Sequence, residues 1–169
     1  MPIGLLVTGF ALLVALLGES DPPVTPVMPV LSSPLLCIHV MIIMLAYALL
    51  AIICMFSVSA LILMRRHPDR IMKLTSFTVL LHTLAVFLLT TGIFVGAVWA
   101  NVSWGSYWQW DPKETWALIT LLVYSVPLHR FSVKMSHKFF HWYLVIAFLC
   151  VLITYFGVNY FLGGLHSYA

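Results

Sequence analysis

CIHVMIIMLAYALLAIICMFSVSALILMRR, residues 37–66, runs from Cys37 to Met64 without an Asp, Glu, Lys or Arg and then meets two arginines. Roughly 20 apolar residues suffice to cross the hydrocarbon of a bilayer. The run is long enough to cross with some tilt or to extend past the lipid. The whole chain repeats the pattern: 169 residues, 63% hydrophobic and 8% charged, with mean hydropathy +1.08. Soluble domains carry about 25% charged residues. A soluble enzyme and a nucleic-acid binder are thereby excluded. A transmembrane barrel is excluded too, since its strands show segments of about ten alternating residues rather than continuous apolar runs. The fold class read from sequence is all-α, a polytopic membrane bundle forming a single domain over 1–169.

Working outward from that run, about five spans are expected, near 3–18, 37–64, 74–100, 114–130 and 141–163. The first is the weakest, and it lacks the basic flank and cleavage site of a signal peptide. Charge then sorts the connections. Arg65, Arg66, Arg70 and Lys73 follow the second span, and Arg130, Lys134 and Lys138 follow the fourth; the opposite side carries one basic residue, Lys113. The positive-inside rule makes the two basic loops cytoplasmic. It leaves the N-terminus inside and the C-terminus outside. On the outer face it puts the Pro-rich loop 19–36, the loop 101–113 and the tail GGLHSYA. Prolines in the stretch 19–34 remove donors and oppose helix. Cys37, Cys54 and Cys150 form no CxxC and read as core residues.

The outer loop contains WGSYWQWDPKETW, residues 104–116. Its end is a helix start: Asp111 suits the N-cap, Pro112 the first helical position, and Glu114 the reciprocal place of a capping box. Those carboxylates need no catalytic explanation. Trp99 and Trp116 suit interfacial anchors. Trp104, Tyr107, Trp108 and Trp110 have two readings: more anchors, or a shelf for a flat apolar ligand. Each buries on the order of 150–250 Å² when covered.

The chain has seven histidines. His67, His137 and His141 lie in or beside the basic loops and read as polar interface residues. His137 and His141 share a helical face, with no third metal ligand nearby. His82 and His129 fall within spans, where an ionisable group is a functional hypothesis by default, although a histidine bonded to a carbonyl is a common alternative. His39 and His166 reach the same outer face as the tryptophan loop by topology alone. Two imidazoles beside a flat aromatic shelf suit haem, whose iron takes two axial nitrogens and whose ring buries a broad apolar face.

WGSYWQWDPKETWALIT resembles the tryptophan-rich WWD signature of the cytochrome c assembly family. With the LHR of 128–130, SPLLCIHVMIIMLAYALL and FGVNYFLGGLHSY, it is similar to the family's CcsA/ResC-type subunit of system II cytochrome c synthases, from about residue 30 onward. Many members carry Trp where this chain has Leu35.

The resemblance implies that His39 and His166 ligate haem at the outer face, beside a WWD loop whose core is Trp104, Trp108, Trp110 and Asp111. It implies that His129 is one of two intramembrane histidines receiving haem from the cytoplasmic side, so that the metal-ligating set is His39, His166 and His129. The other intramembrane histidine belongs to a CcsB/ResB-like partner subunit, and His82 is not assigned that place. The implied cargo is haem b (iron protoporphyrin IX), presented to the CxxCH thiols of an apocytochrome c kept reduced by thiol-reducing proteins. The implied activity is that of a cytochrome c synthase (haem lyase) subunit forming thioether bonds by positioning, with no catalytic residue. The implied location is a plasma (inner) or thylakoid-type membrane. The alternative class is a cytochrome b-like electron carrier, for which His82 and His129 are the candidate ligands.

Overall fold

The structure is a computed structural model that describes residues 33–64, 68–130, 134–158 and 162. The weak first span, the Pro-rich loop up to 32, His67 and His166 lie outside the described residues. Those described fall within one compact unit that begins at Ser33. Their regular elements are helical, in the order α1 (Pro34–Leu63), α2 (Pro68–Trp104), α3 (Pro112–Ser125), a 3₁₀ turn (Val126–His129), α4 (His137–Leu152) and a π-helical turn (Ile153–Gly157).

The starts of α1 and α4 follow from local chemistry. Ser33 caps α1 by accepting from the Leu35 N–H at 3.3 Å, with Pro34 just inside. Ser136 caps α4 by accepting from the Phe139 N–H at 3.3 Å. These caps satisfy donors that would otherwise be orphaned at the helix entrances.

Among the described residues three segments are long and apolar enough to cross a membrane: Pro34–Leu63, Arg70–Trp104 and His137–Gly157. The surface between them and their surroundings is apolar, with Met41, Met72, Phe87 and Phe94 each about two-thirds exposed, as lipid contact requires. Hydroxyls inside these helices bond back to carbonyls four residues earlier, as Thr78 does to Leu74, Thr90 to Val86 and Ser59 to Met55. That is the cheapest satisfaction available in hydrocarbon.

The expected fourth span, 114–130, is instead a 14-residue helix followed by a 3₁₀ turn. Pro127 is the cause. It offers no N–H to the Val123 carbonyl, and the Tyr143 hydroxyl donates there instead at 2.8 Å. Next to it the Tyr124 carbonyl accepts from His82 Nε2 at 2.9 Å. Two side chains from α4 and α2 thus finish a helix end that proline has opened. His82, 1% exposed, takes the carbonyl-bonded alternative.

The core of the bundle joins Ala46, Leu50 and Ile53 of α1, Ala85 and Leu89 of α2, Tyr124 of α3, and Phe140, Leu144 and Ala147 of α4. Towards the basic end lies a polar knot. His141, fully buried, meets Thr75 Oγ1 through Nε2 at 3.0 Å and Ser57 Oγ through Nδ1 at 3.2 Å. The reading of His141 as an interface residue is therefore corrected: it faces inward and ties α1, α2 and α4 together, whereas His137 is exposed.

At the other end α1 and α2 approach across glycine. A Cβ at Gly92 would lie 2.5 Å from Ile43 Cδ1, so the two helices meet where α2 has no side chain.

Replacing His141 with Leu leaves the Ser57 and Thr75 hydroxyls without their shared partner. The expected cost is about 1–3 kcal/mol, read as a lower unfolding midpoint in detergent, and adding Ser57→Ala and Thr75→Val to that variant should recover part of it.

Candidate functional site

Gly96 places the first functional side chain. A Cβ there would lie 2.5 Å from His39 Cε1 and 2.7 Å from His39 Nδ1. The imidazole on the first turns of α1 therefore rests directly on the backbone of α2. One turn earlier on α2, the Gly92 carbonyl accepts from His39 Nδ1 at 2.8 Å. A carbonyl cannot donate, so Nδ1 is the donor in this bond. A fixed Nδ1–H bond of this kind is how a protein orients an imidazole that ligates metal through Nε2.

His39 opens onto a cavity of ≈ 220 Å³. Leu36, Val40, Ile43 and Met44 of α1 and Ile93 and Ala97 of α2 supply its apolar walls. Tyr107, Trp108, Lys113, Glu114 and Ala117 close one side, and Thr154 and Tyr155 of the π turn close another. The extra residue that a π turn inserts bends side chains out of helical register. Here Thr154 bonds to Thr120 Oγ1 at 3.0 Å and reaches the Trp116 carbonyl at 3.3 Å, joining the π turn to α3 beside the cavity.

The tryptophan loop is held by the helix that follows it. The Asp111 carboxylate accepts from the Lys113 N–H at 3.0 Å and completes the reciprocal capping box with Glu114. Glu114 Oε2 accepts from the Asp111 N–H at 3.3 Å and from the Gln109 N–H at 2.8 Å. One carboxylate thus clamps the backbone on both sides of Trp110. Trp110 itself has φ 58, a left-handed conformation that a bulky residue rarely adopts. Its indole is 70% exposed and meets Trp108 edge to face at 6.0 Å. The clamp therefore holds a strained turn that projects an aromatic ring outward. Gly105, φ 75, makes the preceding turn just after α2 ends.

The placements are uneven. His39 and Trp108 meet in the cavity. Trp110 and Asp111 lie on the same loop, one exposed and the other buried beneath it as the N-cap. Trp104 is the last residue of α2, not a loop residue, and packs edge to face on Trp99 at 4.8 Å. Trp99, read as an interfacial anchor, is 1% exposed. His129 stands at the far end of α3, exposed, with Nδ1 facing the Ser125 carbonyl at 3.2 Å. The run from Asp111 to His129 spans on the order of 25–30 Å at helical rise, so these two histidines cannot share one metal ion. Among the described residues no group of three or more His, Cys, Asp and Glu side chains gathers to hold a metal ion.

Tyr107, named from the sequence as part of a possible shelf, lines the cavity, whereas Lys113, Thr154, Tyr155 and the glycine seat are not among the residues the sequence singled out for a site. Tyr107 and Lys113 sit inside the motif and were legible by proximity. The π turn and the seat at Gly96 depend on packing partners far away in sequence.

The family model described as cytochrome C assembly protein matches residues 1–166. The chain belongs to that family. Among similar proteins, Protein NrfI of Wolinella succinogenes is 38% identical over 174 residues, 98% of this chain and 19% of that protein. Cytochrome c biogenesis protein CcsA of Chlamydomonas reinhardtii is 38% identical over 175 residues, 99% of this chain and 49% of that protein. CcsA of Guillardia theta is 36% identical over 194 residues, 99% of this chain and 64% of that protein. The chain thus spans between 19% and 64% of the length of these relatives.

Glu114→Ala should release the Gln109 and Asp111 amides, and hydrogen exchange at those two positions should quicken by at least about tenfold, with about 1 kcal/mol lost from the cap. Glu114→Gln keeps an acceptor and should exchange nearly as slowly as the parent.

Proposed function

We propose that the chain handles haem for the maturation of c-type cytochromes, and that the cavity between His39 and the tryptophan loop is where haem is held before transfer. The observation that carries this reading is that His39, seated on Gly96 and donating from Nδ1 to the Gly92 carbonyl, lines an apolar, aromatic-sided cavity. The donor set fits the group. The His39 imidazole would supply a nitrogen to the iron, aliphatic walls would suit the ring face, and Trp108 and the exposed Trp110 would extend the shelf beyond the cavity.

His166 is proposed as the second axial ligand. His129 is proposed as part of a separate receiving site at the basic end, completed by a CcsB/ResB-like subunit. The Trp-rich end faces the outer compartment and the basic loops face the cytoplasm, on the charge distribution of Arg65, Arg66, Arg70, Lys73, Arg130, Lys134 and Lys138. Five spans accommodate that orientation, with the first formed before residue 19. The cargo is haem b, and the acceptor is an apocytochrome whose CxxCH thiols arrive reduced. Each thiol S–H adds across one vinyl group, sulfur to carbon and proton to the neighbouring carbon, with no net redox change. Holding vinyl and thiol together is positioning catalysis; Asp111 and Glu114 are committed to backbone N–H groups and supply no acid or base. On this reading the chain is a subunit of a cytochrome c synthase.

The electron-carrier reading draws on His82 and His129 and finds little support. His82 Nε2 is bonded to the Tyr124 carbonyl and buried, while His129 is exposed at the bundle end.

Protein purified from haem-replete cells should show a Soret band that His39→Ala greatly diminishes. Gly96→Val, which displaces the imidazole without removing it, should do the same. His129→Ala should lower total haem loading and leave the ligand spectrum of the remaining haem unchanged. A full Soret band in both His39→Ala and Gly96→Val contradicts the proposal.

A further inference from the structure

The π turn after α4 holds one surplus residue, and the Val158 N–H accordingly bonds the Ile153 carbonyl, five residues back. A surplus residue can sit at several places along a helix. Each shift by one residue turns the side chains it passes by about 100°. Its place is therefore set by whatever bonds the turn makes to its surroundings.

Here those bonds run to α3. Thr154, 4% exposed, brings its Oγ1 to 2.7 Å from the Cys150 carbonyl, 3.0 Å from Thr120 Oγ1 and 3.3 Å from the Trp116 carbonyl. Thr120, fully buried on α3, reaches the same Trp116 carbonyl at 2.8 Å. Each threonine thus has a carbonyl four residues back, which is all that a hydroxyl inside a helix requires. The bond between the two hydroxyls satisfies no orphaned group; what it adds is a link between the π turn and α3. A Cβ at Gly157 would lie 3.3 Å from Ile153 Cγ2, so the turn closes tightly at this place. With Thr154 facing α3, the next residue, Tyr155, lines the cavity that also contains His39.

We infer that Thr154 is a positioning residue for the bound ring: its hydroxyl, paired with Thr120, fixes the place of the surplus residue and so holds Tyr155 in the wall of the His39 cavity. This rests on the reading of the cavity as a haem site. An axial nitrogen alone leaves a ring free to turn about its bond to iron. A wall off that axis removes the freedom. A ring held in one orientation presents the same edge to each incoming thiol, which is what positioning catalysis needs.

The test is Soret circular dichroism, per bound haem, of the full chain in detergent loaded with iron protoporphyrin IX, for the parent, Thr154→Val, Thr154→Ser, Thr120→Val and His39→Ala. The dichroism of this band depends on how the ring sits among the aromatic side chains around it, whereas absorbance reports occupancy. Thr154→Val keeps the shape and removes the hydroxyl; it should lose the parental dichroism per bound haem, as should Thr120→Val. Thr154→Ser should keep it. If Thr154→Val binds no haem at all, Thr120→Val, which leaves Thr154 its Cys150 carbonyl, is read in its place. Parental dichroism in the valine variant, with the band lost in His39→Ala, overturns the inference and leaves the haem site standing. Loss in Thr154→Ser as well makes the effect one of packing and overturns it too. An undiminished Soret band in His39→Ala removes the haem site and the inference with it.

Discussion

A single hydrogen bond, from His39 Nδ1 to the Gly92 carbonyl, sets the chemistry of the wider site. It is possible only because α1 and α2 come close, and they come close because Gly92 and Gly96 have no side chains where Ile43 and His39 lie. The usual role of such glycine pairs in membrane helices is to let backbones pack. Here the packing also seats an imidazole, engages its Nδ1 and places the ring in the wall of a cavity. Helix association and ligand geometry are one constraint, so the site cannot loosen without the α1–α2 interface loosening as well.

Around that fixed point the chain deals with backbone that helices leave unsatisfied. Pro127 opens the end of α3, and His82 and Tyr143 close it from two other helices. Glu114 closes the start of α3 and, in doing so, holds Trp110 in a conformation it does not favour. His141 ties three helices near the basic end. In hydrocarbon each unmet group costs several kcal/mol, which is why these polar contacts, few in number, govern so much of the shape. They also divide the histidines by role: His82 and His141 are committed to the scaffold, whereas His39 is oriented by it.

Much of this was legible in the residues. The apolar runs and their charge gave the membrane class, and the spacing of Asp111, Pro112 and Glu114 gave the capping box that the structure contains. Trp108 beside His39 also followed from topology, since both fall at one end of the expected spans. What was not legible depended on partners distant in sequence. Trp104 reads as loop because nothing local says that α2 continues to it. His141 read as interfacial because its neighbours Ser57 and Thr75 lie on other helices. The fourth span reads long because the apolar run continues to Pro127 and past it. Family membership, shown by the match over residues 1–166, accords with the resemblance drawn from WGSYWQWDPKETW and does not by itself assign any ligand.

The central claim is that His39 contributes an imidazole to haem from its seat on Gly96. Replacing it with Gly leaves a slot against α2 of imidazole size, and titrating free imidazole into the purified His39→Gly protein tests the claim most directly. The account predicts that the variant lacks the parental Soret and α/β bands and regains them as imidazole fills the slot. A variant that keeps the parental spectrum with no imidazole added contradicts it.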